Sequence, residues 1–187
     1  KPDGTVSLMY GIIGEATQIL ADACSGDTLS VIGPLGHGFD LTAKKPLLIG
    51  GGLGLAPLYY LAAALQAQKP AVLMGGRIAD DLFWKEIYQD YCPEQYLTTD
   101  DGSLGTKGTV MALLPELLTK GYDCAYVCGP VPMMKGVAAA CAKAQVPCQV
   151  SLERYMACGL GACLSCSCGG VGKRLKVCTD GPVFWAQ

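Results

Sequence analysis

The run Pro46-Leu-Leu-Ile-Gly-Gly-Gly-Leu-Gly-Leu-Ala-Pro57 decides the fold class. Residues 47–50 are apolar without alternation, as in a short strand covered on both faces. Pro57 then opens a helix that carries Leu58, Leu61 and Leu65 on one face. No charge falls between Pro46 and Gln68, a window long enough to span a bilayer. Gly50, Gly51, Gly52, Gly54 and Pro57 interrupt it, so no continuous helix satisfies the backbone there. A buried strand, a glycine-rich turn and a helix account for the segment, and the chain reads as soluble, without a membrane span.

Downstream the same alternation repeats. Strands are predicted at 71–74, 95–98, 124–128 and 148–152. Helices are predicted from Asp81, as N-cap, to about Tyr91, then over 109–120 and 131–144. Strands separated by helices give an α/β architecture, a Rossmann-like parallel sheet over residues 44–152. Upstream, residues 1–43 read as β-rich, with strands at 6–13 and 28–32 around a helical or turn segment at 16–23. Two or three strands cannot close a barrel. This portion therefore reads as the C-terminal part of a small β-barrel, whose N-terminal half is expected to lie outside the sequence.

Of 187 residues, 51% are hydrophobic and 16% charged, and the net charge is −2. Lys173, Arg174 and Lys176 form the densest basic group, which leaves nucleic acid without an electrostatic footprint. Eleven cysteines need an account. Cys24, Cys124, Cys128, Cys141 and Cys148 lie in apolar surroundings and read as small buried hydrophobes, and Cys92 precedes Pro93 in a loop. The other five crowd into the last thirty residues. A disulfide framework is a rival reading, disfavoured by the odd number and by the lack of a secretory signal.

The crowded segment reads Cys158-Gly-Leu-Gly-Ala-Cys163-Leu-Ser-Cys166-Ser-Cys168, with Cys178 further on. The spacing C-x4-C-x2-C is that of the first three ligands of a plant-type [2Fe–2S] cluster. Gly159 and Gly161 let backbone amides approach the cluster. Gly169, Gly170 and Gly172 can turn a hairpin that returns Cys178 as fourth ligand. A four-cysteine zinc site is the alternative, although such sites usually pair close cysteines as two knuckles. A Rieske centre needs two histidines, and the chain has only His37. Cys168 is left over as a free thiol.

The glycines at 50, 51, 52 and 54 stand where backbone N–H groups and a helix N-terminus can meet a pyrophosphate. A bare β–α turn is the bland alternative. Gly75-Gly76-Arg77 follows the second strand, Thr99-Asp100-Asp101-Gly102 the third, and Cys128-Gly129-Pro130 the fourth. Ligands of open α/β sheets collect at these carboxyl ends. Arg77 invites a 2′-phosphate.

Taken together, 50–57, 98–102, 128–130 with Met133-Met134, Glu153-Arg-Tyr-Met-Ala-Cys158 and Asp180-Gly-Pro-Val-Phe184 resemble the electron-transfer subunit of NAD-dependent (class 1B) dihydroorotate dehydrogenase, in the ferredoxin-reductase-like superfamily. The resemblance implies an FAD-binding barrel over 1–43, an NAD-binding domain over 44–152 and a [2Fe–2S] domain over 153–187. It implies FAD contacts at Met9, Tyr10, Gly11, Ala16 and Thr17. NAD contacts would be Gly50, Gly51, Gly52, Gly54, Arg77, Cys128, Gly129 and Pro130, and cluster ligands Cys158, Cys163, Cys166 and Cys178. Gly11 and Ala16 depart from the family pattern, which often has a basic residue and Gly there. The Arg-Pro-x-Ser/Thr flavin motif is absent. The implied partner is an FMN-containing dihydroorotate dehydrogenase catalytic subunit in a cytoplasmic heterotetramer, serving pyrimidine biosynthesis and drawing no acid–base catalyst from this chain. A reductase of another NAD(P)H-, ferredoxin- or hydrogenase-linked system is the near alternative. Around the cluster ligands, Tyr155 and Met156 could pack on the sheet, whereas Leu160 and Leu164 are expected to face a partner.

Overall fold

The computed structural model describes residues 4–186. Contacts divide the chain into two units at Gly33/Pro34. In the first, the described residues form one helix, α1 (Glu15–Ala21). Its entry is fixed by the Thr17 hydroxyl, which accepts from the N–H groups of Ile13 (3.0 Å) and Gly14 (3.1 Å) and donates to the Gly14 carbonyl. The strands predicted at 6–13 and 28–32 are not formed among the described residues. A strand exists only through ladder bonds to a neighbour, and these segments have none. Val6, Ile13 and Val31 accordingly remain exposed, at 83%, 92% and 80%.

The second unit is built on a seven-stranded sheet. Its strands are β1 (Pro46–Gly51), β2 (Ala71–Gly76), β3 (Glu94–Thr99), β4 (Thr106–Lys107), β5 (Cys124–Cys128), β6 (Cys148–Ser151) and β9 (Val183–Trp185). The order is β4-β3-β2-β1-β5-β6-β9, parallel throughout except for β9, which runs antiparallel to β6. Leu47, Leu48 and Ile49 of β1 are wholly buried, as a central strand covered on both faces requires. Alternate side chains feed two cores. Leu48, Val72, Met74 and Tyr126 pack with α2 (Leu55–Ala64) and α3 (Trp84–Ile87). Leu47, Ile49, Leu73 and Val127 pack with α4 (Leu114–Leu117) and α5 (Val131–Lys143).

Two helices differ from the sequence reading. The stretch 109–120 forms the 3-10 turns Val110–Ala112 and Leu118–Lys120 around the single α-turn of α4. Pro115 supplies no N–H there, so a long helix would lose a bond in its middle. Asp81 does not cap a helix running to Tyr91. It lies inside the 3-10 turn Ala79–Leu82, and its carboxylate accepts from the Arg77 N–H at 2.9 Å. The strands β4 and β9 had no counterpart in the sequence reading.

After β6 the chain leaves the sheet, carries the cysteine loop, and folds into the hairpin β7 (Ser167–Gly170) and β8 (Lys173–Lys176). It then returns as β9. Gly172, at φ +69°, turns the hairpin in a conformation that favours glycine. Among the described residues no helix is long and apolar enough to cross a membrane.

Candidate functional site

A cavity of about 690 Å³ lies along the carboxyl ends of the strands, walled by segments that follow β1, β2, β3 and β5. Gly51 and Gly52 form its floor beside the start of α2, and Pro130, Pro132 and Met133 its wall at the start of α5. Neither helix has a side-chain cap. At α2 the Leu55 N–H is already taken by the Gly52 carbonyl, so the places where a pyrophosphate could meet backbone donors are the glycine turn itself and the start of α5. Gly52 has φ +56°, and a Cβ added there would meet nothing within 4 Å, so the glycine keeps open a space that a side chain would fill.

Of the eight residues expected at the dinucleotide, Gly51, Gly52, Arg77 and Pro130 line the cavity; Gly50, Gly54, Cys128 and Gly129 do not. The latter act one step back. A Cβ on Gly54 would collide with the carbonyl oxygen of Cys128, so this glycine lets α2 start against β5. Phe83 and Trp84, absent from the sequence reading, line the cavity with their rings stacked at 4.9 Å and 26°. The signal for them was positional only, since they follow the turn after β2.

The cysteine lobe adjoins the sheet through β6 and β9. The N–H groups of Leu160 and Cys163 donate to the Cys158 Sγ at 3.3 and 3.5 Å. The Cys163 N–H, then that of Leu160, then the Cys163 thiol bring the Cys158 thiol down to about 6. The Cys178 N–H and thiol likewise lower Cys166, while the hydrogen bond to Cys166, then burial, raise Cys178. The four sulfurs thus meet as two pairs, Cys158 with Cys163 and Cys166 with Cys178. Among the described residues no three His, Cys, Asp or Glu side chains converge as one ion would need. Two thiolate pairs suit a two-iron cluster, in which each iron takes two cysteines, better than a single zinc ion with four. Cys168 shares a small buried core with Cys166, Cys178, Val177, Leu152, Leu175 and Phe184, but belongs to neither hydrogen-bonded pair. Burial raises its thiol.

The family described as iron-sulfur cluster binding domain of dihydroorotate dehydrogenase B matches residues 153–187, and the oxidoreductase NAD-binding domain family matches 48–139. The electron transfer subunit of dihydroorotate dehydrogenase B (NAD(+)) of Caldanaerobacter subterraneus subsp. tengcongensis is 42% identical over 189 residues, which span 97% of this chain and 74% of that protein. The chain belongs to this family of electron transfer subunits. The Fusobacterium nucleatum member is 37% identical, over 100% of this chain and 75% of its own length. A solved NADH-dependent reduced ferredoxin-NADP oxidoreductase, described for flavin-based electron bifurcation, is 34% identical with a TM-score of 0.80. It is matched over 95% of this chain and 66% of its own length. A flavohemoglobin from Malassezia yamatoensis shares the fold, at 18% identity, TM-score 0.52, 74% of this chain and 40% of its own.

In this family member the five residues expected at FAD lie in the first unit. Met9, Tyr10 and Ala16 are exposed, and Gly11 and Thr17 half-buried. The Thr17 hydroxyl is engaged in the entry of α1. Around the cysteines, Tyr155 is 90% exposed and Met156 50%, so neither packs on the sheet as the bland reading had it. Leu160 and Leu164 stand out as expected, at 66% and 60%.

Proposed function

We propose that the chain carries electrons between NAD(H) and an FMN-containing dihydroorotate dehydrogenase catalytic subunit, in pyrimidine biosynthesis. The cavity at Gly51 and Gly52 takes the dinucleotide, and Cys158, Cys163, Cys166 and Cys178 hold a [2Fe–2S] cluster. FAD is held with the help of Met9, Tyr10, Gly11, Ala16 and Thr17 of the first unit. A bound flavin accepts a hydride and releases single electrons, which a cluster can carry. In balance, dihydroorotate and NAD+ give orotate, NADH and a proton. This chain binds, orients and insulates. The oxidation of dihydroorotate belongs to the partner.

The observation that carries the reading is the junction of the two thiol pairs with the dinucleotide crevice through adjacent strands of one sheet, β5 and β6. The exposed side chains of Tyr155, Met156, Leu160 and Leu164 surround the ligand loop and supply an apolar face for the partner. Co-expression tests the reading. A complex with the FMN subunit that reduces NAD+ with dihydroorotate supports it, and a chain that neither co-elutes nor passes electrons defeats it. The similarity to a ferredoxin-NADP oxidoreductase favours a second reading, a subunit of an NAD(P)H–ferredoxin system. Reduced ferredoxin in place of dihydroorotate would then support turnover.

A further inference from the structure

The cavity has two chemically different ends. At the end formed by β5 the walls are Pro130, Pro132 and Met133, without charge. At the end formed by β2 and β3 they carry Arg77, Asp80, Asp81 and Asp100, one cation among three carboxylates. β5 pairs with β6, and β6 runs into the cysteine lobe. A nicotinamide that exchanges a hydride with the redox centres must lie toward that side, on β5. The adenosine half then falls on the β2 side, where Phe83 is 52% exposed and backed by the buried Trp84, a flat apolar platform for a purine.

Arg77 is the residue that would bind a 2′-phosphate, and the structure engages it elsewhere. Its Nε lies 3.3 Å from Asp81 Oδ2, the same oxygen that accepts the Arg77 backbone N–H at 2.9 Å. The Asp81 side chain is only 27% exposed, against 84% for Arg77, so the carboxylate is the fixed partner of the two. Asp80 adds an exposed carboxylate at the same rim.

We propose that Asp80 and Asp81 make this site selective for the dinucleotide without a 2′-phosphate, by accepting the adenosine ribose hydroxyls and by withholding Arg77 from phosphate. The proposal rests on the dinucleotide reading of the cavity. A 2′-phosphate brings a charge on the order of −2 to a rim that is already net negative, and selectivity comes as much from that repulsion as from the ribose contacts.

The test is direct binding to the full chain, by calorimetry, of NADH, NADPH, ADP and adenosine 2′,5′-bisphosphate. NADH should bind roughly 10- to 100-fold tighter than NADPH, and ADP should exceed the bisphosphate by a similar ratio. The double variant Asp80→Asn/Asp81→Asn should bring the ratio near one or invert it. Adding Arg77→Ala to it should remove the gained NADPH affinity while the cluster absorbance stays unchanged. Asp80→Asn alone, at a side chain that makes no hydrogen bond in the turn, should shift the ratio part of the way and covers the case in which the double variant fails to fold. Equal binding of NADH and NADPH by the unaltered chain, or a ratio untouched by all these variants, overturns the proposal. Failure of all four nucleotides to bind would instead remove the dinucleotide reading itself.

Discussion

The backbone N–H of Cys178 lies 3.5 Å from the Sγ of Cys166, twelve residues earlier in the chain. The hairpin β7–β8 makes this meeting possible, and it completes the second thiol pair. The purified chain should therefore be red-brown, with about two irons and an EPR signal on reduction. Serine at Cys158, Cys163, Cys166 or Cys178 should abolish or sharply reduce the iron. Cys168→Ser should leave it, because that side chain, although in the same small core as Cys166 and Cys178, is a member of neither pair. One zinc and no iron after anaerobic preparation, or bleaching by Cys168→Ser alone, would refute the ligand assignment.

Gly52 and Gly54, two positions apart in the same turn, should behave in opposite ways. A side chain on Gly54 would collide with the Cys128 carbonyl, which is rigid strand backbone, so Gly54→Ala should cost a few kcal/mol of stability. Gly52 has room for a side chain but a left-handed backbone, which asparagine tolerates. Gly52→Asn should fold, keep the cluster spectrum and bind NADH at least about tenfold more weakly, because the new side chain occupies the pyrophosphate space. Unchanged NADH affinity would make the loop a bare turn.

Alkaline pH should unfold the chain earlier than its composition suggests. Burial pushes the Cys92 thiol from its ordinary value near 9 up to about 12, and Cys124 and Cys128 to about 11. The buried tyrosines Tyr88, Tyr122 and Tyr126 are raised as well, burial being the leading cause in each. All six keep their protons in the folded state at pH values where the unfolded chain has lost them. Stability from these groups is thus complete below about pH 9 and declines as pH rises through 9 to 12. The urea midpoint should hold from pH 7 to 8.5 and fall steadily by pH 10.5. A flat profile would contradict the burial.

What the sequence made legible follows from burial. The runs at 47–50, 71–74 and 124–128 became strands within two residues of their predicted ends, because a parallel strand buried on both faces has no polar position to confuse the pattern. The meeting of Cys178 with Cys166 was legible because the glycines at 169, 170 and 172 permit the hairpin that returns it. Arg77 was not, because its role depends on Asp81 reaching back four residues to hold it, a contact set by the turn geometry and not by composition. β9 escaped because Val183, Phe184 and Trp185 gain a partner only when the cysteine lobe brings them back to β6. The segment 6–13 shows the converse. Its apolar residues read as a strand, and without a neighbouring ladder they form none among the described residues.

The proposed docking surface can be tested at the cysteine loop itself. Leu160 and Leu164 sit between the cysteines and are exposed, and Leu164 holds φ +62°, a left-handed conformation that a leucine adopts only at a cost. Its carbonyl accepts from the Ser167 N–H and hydroxyl, which fixes the loop in that shape. A large apolar side chain at a strained, exposed position is what a docking contact would retain and a bare surface would not. Leu164→Asn keeps the backbone conformation accessible while removing the apolar contact, and Leu160→Glu adds a charge that a desolvated interface cannot accommodate. Combined, they should dissociate the complex with the FMN subunit, lower NAD-linked dihydroorotate oxidation at least about 100-fold, and leave cluster absorbance and NADH binding as they were. Size-exclusion chromatography and steady-state turnover read the two effects separately. If the double variant still co-elutes with the catalytic subunit and still passes electrons, the docking surface lies away from the cluster loop, and the exposed leucines have another reason to be there.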